Sequence, residues 1–133
     1  MSEQHPVGVT YDFSDTVSIV TGSGGGIGQA YAEAIAAAGG AVVVADIDAD
    51  RAEGVAAGIR DTGAQALAVR VDVSDPASAQ AMAETTIDEF GGIDNLVNNA
   101  AIFGGMQLDA LVSVDWDYLT RFMAVNQMGA LAC

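Results

Sequence analysis

The segment Thr21-Gly22-Ser23-Gly24-Gly25-Gly26-Ile27-Gly28 constrains the fold of this chain more than any other. It stands between the β-branched run Val17-Ser18-Ile19-Val20 and an Ala-rich run from Gly28 to Ala38, so it reads as a strand-to-helix turn. Five of the seven residues from Gly22 to Gly28 are glycine, more than a generic turn needs. Glycine lets the backbone take positive φ and approach a ligand closely, while a helix N-terminus offers unpaired N–H groups to a phosphate. A phosphate cradle is therefore expected. Two versions of it fail on paper. A P-loop requires Gly-Lys-Ser/Thr, and the chain has no lysine. Gly-x-Gly-x-x-Gly requires glycine at position 27 or 29, where Ile27 and Gln29 stand.

The alternation continues down the chain. Ala41 to Ala45 is an apolar run closing on Asp46, and Ala49 to Asp61 reads as a helix with Thr62-Gly63 behind it. Ala66 to Val71 is a third strand, closing on Asp72. Asp75 as N-cap and Pro76 at the first helical position open a helix that runs to about Phe90 and stops at Gly91-Gly92. Ile93 to Val97 is a fourth strand, broken by Asn98-Asn99-Ala100-Ala101. A Gly-containing loop follows, then a helix from near Ser113 to Asp115 through to the end. Strands without polar alternation are expected to be buried on both faces, as in a parallel sheet, and right-handed crossovers place helices on both sides. The expectation is an α/β, Rossmann-like, doubly wound domain or its first half over residues 15–133. Residues 1–14 read as an N-terminal extension.

Composition narrows the partners. With 51% hydrophobic and 17% charged residues and a mean hydropathy of +0.35, the 133-residue chain has the makings of one domain with a real core. Eighteen acidic residues against four arginines give a net charge of −14, which excludes nucleic acid as a partner and disfavours an anionic membrane surface. Cys133 has no second cysteine to pair with, and His5 alone with it cannot build a zinc site, so no metal is expected. Met1 to Thr10 lacks the basic and apolar regions of a signal peptide, and no stretch nears the roughly 18–20 apolar residues of a membrane span. A cytoplasmic setting is expected.

Thr21, Gly22, Gly26 and Gly28 satisfy T-G-x-x-x-G-x-G, and here the chain resembles the short-chain dehydrogenase/reductase family in its single-domain branch. The loop alone also satisfies T-G-x-x-G-x-x-G of the extended, sugar-nucleotide branch, through Gly22, Gly25 and Gly28. Three later motifs decide. Asn98-Asn99-Ala100-Ala101 resembles the branch's N-N-A-G, Asp72-Val73 its Asp-Val, and Val125-Asn126 the Asn of its next helix. Together they span residues 16–133, and the resemblance implies strand order 3-2-1-4.

Asp46 lies 18 residues after Gly28, close to the roughly 20-residue offset of a ribose-binding acid. A carboxylate there accepts from the ribose hydroxyls and repels a 2′-phosphate. Where NADP-preferring relatives often carry a base stand Ser23, Gly24, Gly25 and Ile47, so NAD is expected over NADP. Arg51, nearby, is the one residue that could soften this preference, and it reads more readily as a solvated helix charge. The resemblance implies cofactor contacts from Gly22, Ser23, Gly24, Gly25, Gly26, Ile27, Gly28, Asp46 and Ile47. It further places Asp72 and Val73 beside the adenine, Asn98 beside a ribose, and Ala100 in the same turn. Asn99 is expected to tie the fourth strand to its neighbours, and Ala101 departs from the usual glycine. Asn126 resembles the Asn that holds a water in the family's proton relay. Met106, Met123, Met128 and Trp116 read as core or interface.

The family's chemistry also needs Ser and Tyr-x-x-x-Lys, the lysine lowering the tyrosine pKa. Tyr11, Tyr31 and Tyr118 are followed four residues on by Asp15, Ile35 and Phe122. The chain is thus expected to be the cofactor-binding half of a longer NAD-dependent oxidoreductase, inactive alone. Its parent would transfer hydride between nicotinamide and a small alcohol or ketone, as a dimer or tetramer. Two alternatives stand beside this, a non-catalytic nucleotide-binding module and a structural remnant of the fold.

Overall fold

Val17–Thr21 (β1) is the strand about which the rest is arranged in the computed structural model, which describes residues 8–104, 106, 110 and 112–133. It pairs in parallel on one side with Ala41–Asp46 (β2), in register Val17 to Ala41, and on the other with Asn95–Val97 (β4), in register Ser18 to Asn95. Ala66–Arg70 (β3) adds to the far side of β2, giving the order β3-β2-β1-β4. The connections are the helices Gly26–Ala37 (α1), Ala49–Asp61 (α2) and Pro76–Phe90 (α3). After β4 come Trp116–Met123 (α4), a π-type turn over Ala124–Met128, and Gly129–Ala132 (α5). The α/β, doubly wound reading is correct.

Strand side chains alternate between faces, and the two cores follow that period of two. Val20, Val42 and Val44 face α1 and α2, packing with Ala32, Ile35, Ala52, Val55 and Ile59. Ile19, Val43 and Ala45 face the other way, toward Val71, Val73 and Met82, with Val125 and Cys133 partly buried against them. Alanine on the inner faces of α1 and α2 lets both helices lie close to the sheet. Caps set the helix starts: the Asp48 carboxylate accepts from the amides of Asp50 and Arg51, that of Asp75 from Ala77, and that of Asp115 from Tyr118.

Several boundaries differ from expectation. The first helix starts at Gly26, two residues before Gly28. β4 is shorter than Ile93–Val97, because pairing begins at Ser18 opposite Asn95. Asp94 spends its own amide and carboxylate on Val17. β1 and β2 are buried on both faces, but β3 and β4 are not, since each is an edge of a four-stranded sheet. The last helix opens where expected, at Asp115, but the π-type turn interrupts it. Of the N-terminal extension, residues 1–7 with His5 lie outside the described residues, as do 105, 107–109 and 111 of the Gly-containing loop. Phe13 packs against the α1–α2 core and donates its amide to Ala38. Among the described residues no helix is long and apolar enough to cross a membrane, and no cluster of His, Cys, Asp or Glu is placed to hold a metal.

Candidate functional site

β1 hands the chain to β2 on one side and takes β4 on the other, so the segments leaving β1 and β4 diverge and open a crevice at the carboxyl ends of the strands. Thr21 holds that divergence in place. Its buried hydroxyl accepts from the amides of Asn99 (3.1 Å) and Ala100 (3.0 Å) and donates to the Val97 carbonyl (3.4 Å). Asn99 Nδ2 donates to the carbonyls of Thr21 (3.0 Å) and Gly22 (3.1 Å), tying β4 to the glycine loop as expected.

In the loop itself, Gly22 has φ +67, and a Cβ there would lie 2.8 Å from the Ala100 Cα. Gly28 is needed for contact rather than conformation, since a Cβ on it would run into the Gly22 carbonyl. The Ser23 hydroxyl faces inward, donating to the Val20 carbonyl (2.6 Å) and accepting from the Ala45 amide (3.1 Å). Ser23 is fully buried, so its side chain braces the loop from below rather than facing the crevice.

The crevice holds a cleft of about 340 Å³, within the roughly 300–1,000 Å³ of ligand clefts. Of the expected residues, Gly22, Gly25, Asp46, Ile47, Asp72, Val73 and Ala100 line it. Gly24, Gly26, Ile27, Gly28, Asn98 and Asn126 stand outside the lining, Ile27 well exposed at the start of α1. A larger, open hollow of about 810 Å³ lies at the opposite ends of the strands, among Ala36, Gly39, Gly40, Gly58 and Gly63. It receives neither the glycine loop nor a strand-end carboxylate, its one acid being Glu33 of α1, so size alone does not mark the site.

Asp46 stands at the end of β2 with both carboxylate oxygens in use: Oδ2 accepts from the Gly24 amide (2.9 Å) and Oδ1 from the Asp48 amide (3.0 Å). Asp72, beyond β3, accepts on Oδ1 from the Ser74 hydroxyl (2.6 Å) and amide (3.0 Å). The Ser74 hydroxyl is the main reason its carboxyl sits below the usual range; slight burial opposes this, and Arg70 and Arg121 add a little. Asn98 Nδ2 donates to the Ala130 carbonyl (3.3 Å), which anchors α5. Asn126 bonds twice to one residue: Nδ2 donates to the Ile102 carbonyl (3.0 Å), and Oδ1 accepts from the Ile102 amide (2.6 Å).

Sequence reasoning left Arg121 out of the site and read Arg51 chiefly as a solvated charge. Arg51 and Arg121, two of the four arginines, both line the cleft. Arg51 is exposed, as a solvated charge would be, but its Nε also donates to the Gly24 carbonyl (3.3 Å) and its Nη2 lies where a side chain on residue 25 would go. The available signal was position: Arg51 is in the first turn of α2, where the helix dipole disfavours a cation. Nothing in the sequence marked Arg121, Ile102 or Val71 as cleft residues.

The short chain dehydrogenase family pattern matches residues 16–133. An uncharacterized oxidoreductase of Mycobacterium tuberculosis is 56% identical over 121 residues, covering 91% of this chain and 49% of that protein. Galactitol 2-dehydrogenase of Agrobacterium fabrum is 40% identical over 118 residues, covering 89% and 44%. A hydroxysteroid dehydrogenase from Escherichia coli superposes with a TM-score of 0.83 at 34% identity, over 91% of this chain and 50% of that one. A short-chain type dehydrogenase/reductase from Mycobacterium marinum does so with 0.85 at 33%, over 91% and 48%. The chain spans about half the length of the curated relatives it matches.

Proposed function

The chain belongs to the short-chain dehydrogenase family, and we propose that residues 15–133 are its NAD-binding unit, serving an oxidoreductase that acts on a small alcohol or ketone. The observation that carries this reading is Asp46, a strand-end carboxylate locked to the Gly24 amide at the mouth of the crevice. From there it meets the ribose hydroxyls of an adenosine and opposes a 2′-phosphate at that position. The amides at the start of α1 face the pyrophosphate, Asp72 and Val73 border the adenine, and the backbone near Asn98 and Ala100 borders the second ribose. A dinucleotide seated this way supplies the hydride acceptor or donor.

Asn126 acts here by fixing the Ile102 backbone, which lines the cleft, and through it the edge of the substrate side. These 133 residues contain no lysine, so the Tyr-x-x-x-Lys acid–base pair is not among them. The proposal extends to a cytoplasmic parent that forms a dimer or tetramer. Calorimetric titration of the complete natural gene product with NADH and NADPH tests the reading. NADH should bind the more tightly; absence of binding by both, or tighter binding of NADPH, would overturn it.

A further inference from the structure

We propose that Arg51 is a specificity-determining residue of the dinucleotide site, a cation delivered from α2 that tempers the refusal of a 2′-phosphate by Asp46. The inference rests on the reading of the crevice as a dinucleotide site. Asp46 and Arg51 hold the two peptide groups that flank one residue: the carboxylate accepts the Gly24 N–H, and Nε of the guanidinium donates to the Gly24 C=O. A Cβ on Gly24 would lie 2.8 Å from Asp46 Oδ2 and 2.9 Å from Arg51 Cβ, so the two side chains close over the same residue. Beyond that bond the guanidinium continues over Gly25, with Nη2 in the space a residue-25 side chain would fill. It thereby lines the cleft beside Asp46 and Ile47.

The charge of Arg51 is not spent elsewhere. Among the described residues no carboxylate forms an ion pair with it, whereas Arg60 is paired with Glu53. It also sits in the first turn of a helix, against the macrodipole, in a chain of net charge −14. A guanidinium offers paired N–H donors that match a phosphate, and here Nε alone is taken. The adenosine end of the cleft therefore presents one carboxylate and one uncommitted cation face, and discrimination between the two cofactors is narrow rather than absolute.

NADH and NADPH differ only in the 2′-phosphate, so the test is calorimetric titration of both with the complete natural gene product and its Arg51→Ala and Arg51→Gln variants. Glutamine retains a donor for the Gly24 carbonyl without the charge, which separates loop support from phosphate recognition. Both variants should weaken NADPH by about tenfold or more while Arg51→Gln moves NADH less than about threefold. Raising salt should erode NADPH binding more than NADH binding in the wild type, and this difference should vanish in Arg51→Gln. Equal losses for both cofactors in Arg51→Gln, or unchanged NADPH affinity, would overturn the role of Arg51 and leave the site intact. A wild type that binds neither would overturn the site and this role together.

Discussion

Asp46 and Gly24, 22 residues apart, are joined by a 2.9 Å bond from the glycine amide to the carboxylate, which fixes the glycine loop and the β2 terminus as one unit. The same carboxylate is the proposed ribose acceptor, so its removal has two effects. Asp46→Ala combined with Ile47→Arg removes the repulsive charge and adds a phosphate partner. The ratio of NADPH to NADH dissociation constants should fall by about tenfold or more, toward inversion. A ratio unchanged from wild type would show that Asp46 does not set the preference.

Gly22→Val and Gly28→Val should abolish dinucleotide binding for a structural reason. Valine at 22 must adopt φ +67 against the Ala100 backbone, and valine at 28 must displace the Gly22 carbonyl. Each should also lower fold stability by about 1–3 kcal/mol or more. Thermal unfolding alongside calorimetry checks both; undiminished affinity in either variant refutes the cradle.

How far the sequence carried depended on how local each cause was. Asp75-Pro76 and Gly91 mark α3 within a few residues of chain, and the limits of α2 follow equally from neighbours in sequence. The shortened β4 depends on where β1 begins, some 77 residues away, and so was not legible. Arg51 reaches Gly24 across 27 residues, and Asn126 reaches Ile102 across 24. Periodicity and propensity contain no information at such separations. Ser23 shows the converse: its place in the glycine motif was plain, but that its hydroxyl turns toward Val20 and Ala45 was not.

Asn126→Asp replaces the Nδ2 donor with an oxygen that faces the Ile102 carbonyl. The cost should be about 1–3 kcal/mol, read from the urea midpoint. Asn126→Ala loses both bonds and should fall in the same range. Stability within error of wild type in both would show that the double bond to Ile102 is incidental.

The Asp72 carboxyl is depressed chiefly by the Ser74 hydroxyl. A depressed folded pKa lends stability that is present above the unfolded pKa and lost as pH falls through the folded value. Ser74→Ala should therefore lower the melting temperature slightly at neutral pH, and the gap should close on acidification below the ordinary carboxylate range. A gap constant across that window would place the effect elsewhere.

Residues 1–133 expressed by themselves should self-associate. Among the described residues β4 is a sheet edge of only three residues, paired on one side alone, with Leu96 39% exposed, and Trp116, Met128 and Leu131 are 74%, 56% and 78% exposed. The charge of −14 opposes this only at long range. Size-exclusion chromatography with near-UV circular dichroism decides it: a monodisperse monomer with native-like aromatic signals and cooperative unfolding would count against the prediction.

The π-type turn over Ala124–Met128 acts as a correction of angular phase. An α-helix advances about 100° per residue, and a π turn accommodates one residue more before it closes. Trp116, Leu119 and Met123 lie along one outer line of α4, and the next apolar side chain on that line is Met128, five places on instead of four. On the inner side, Val125 packs on the Val73 cluster, and Gly129 touches Val73 so closely that a Cβ would lie 2.7 Å from its Cγ2. An uninterrupted α-helix through the same residues would bring polar Gln127 beneath Met123 and rotate Gly129 away from Val73. One surplus residue in a single turn keeps the outer apolar line continuous while Gly129 stays against Val73.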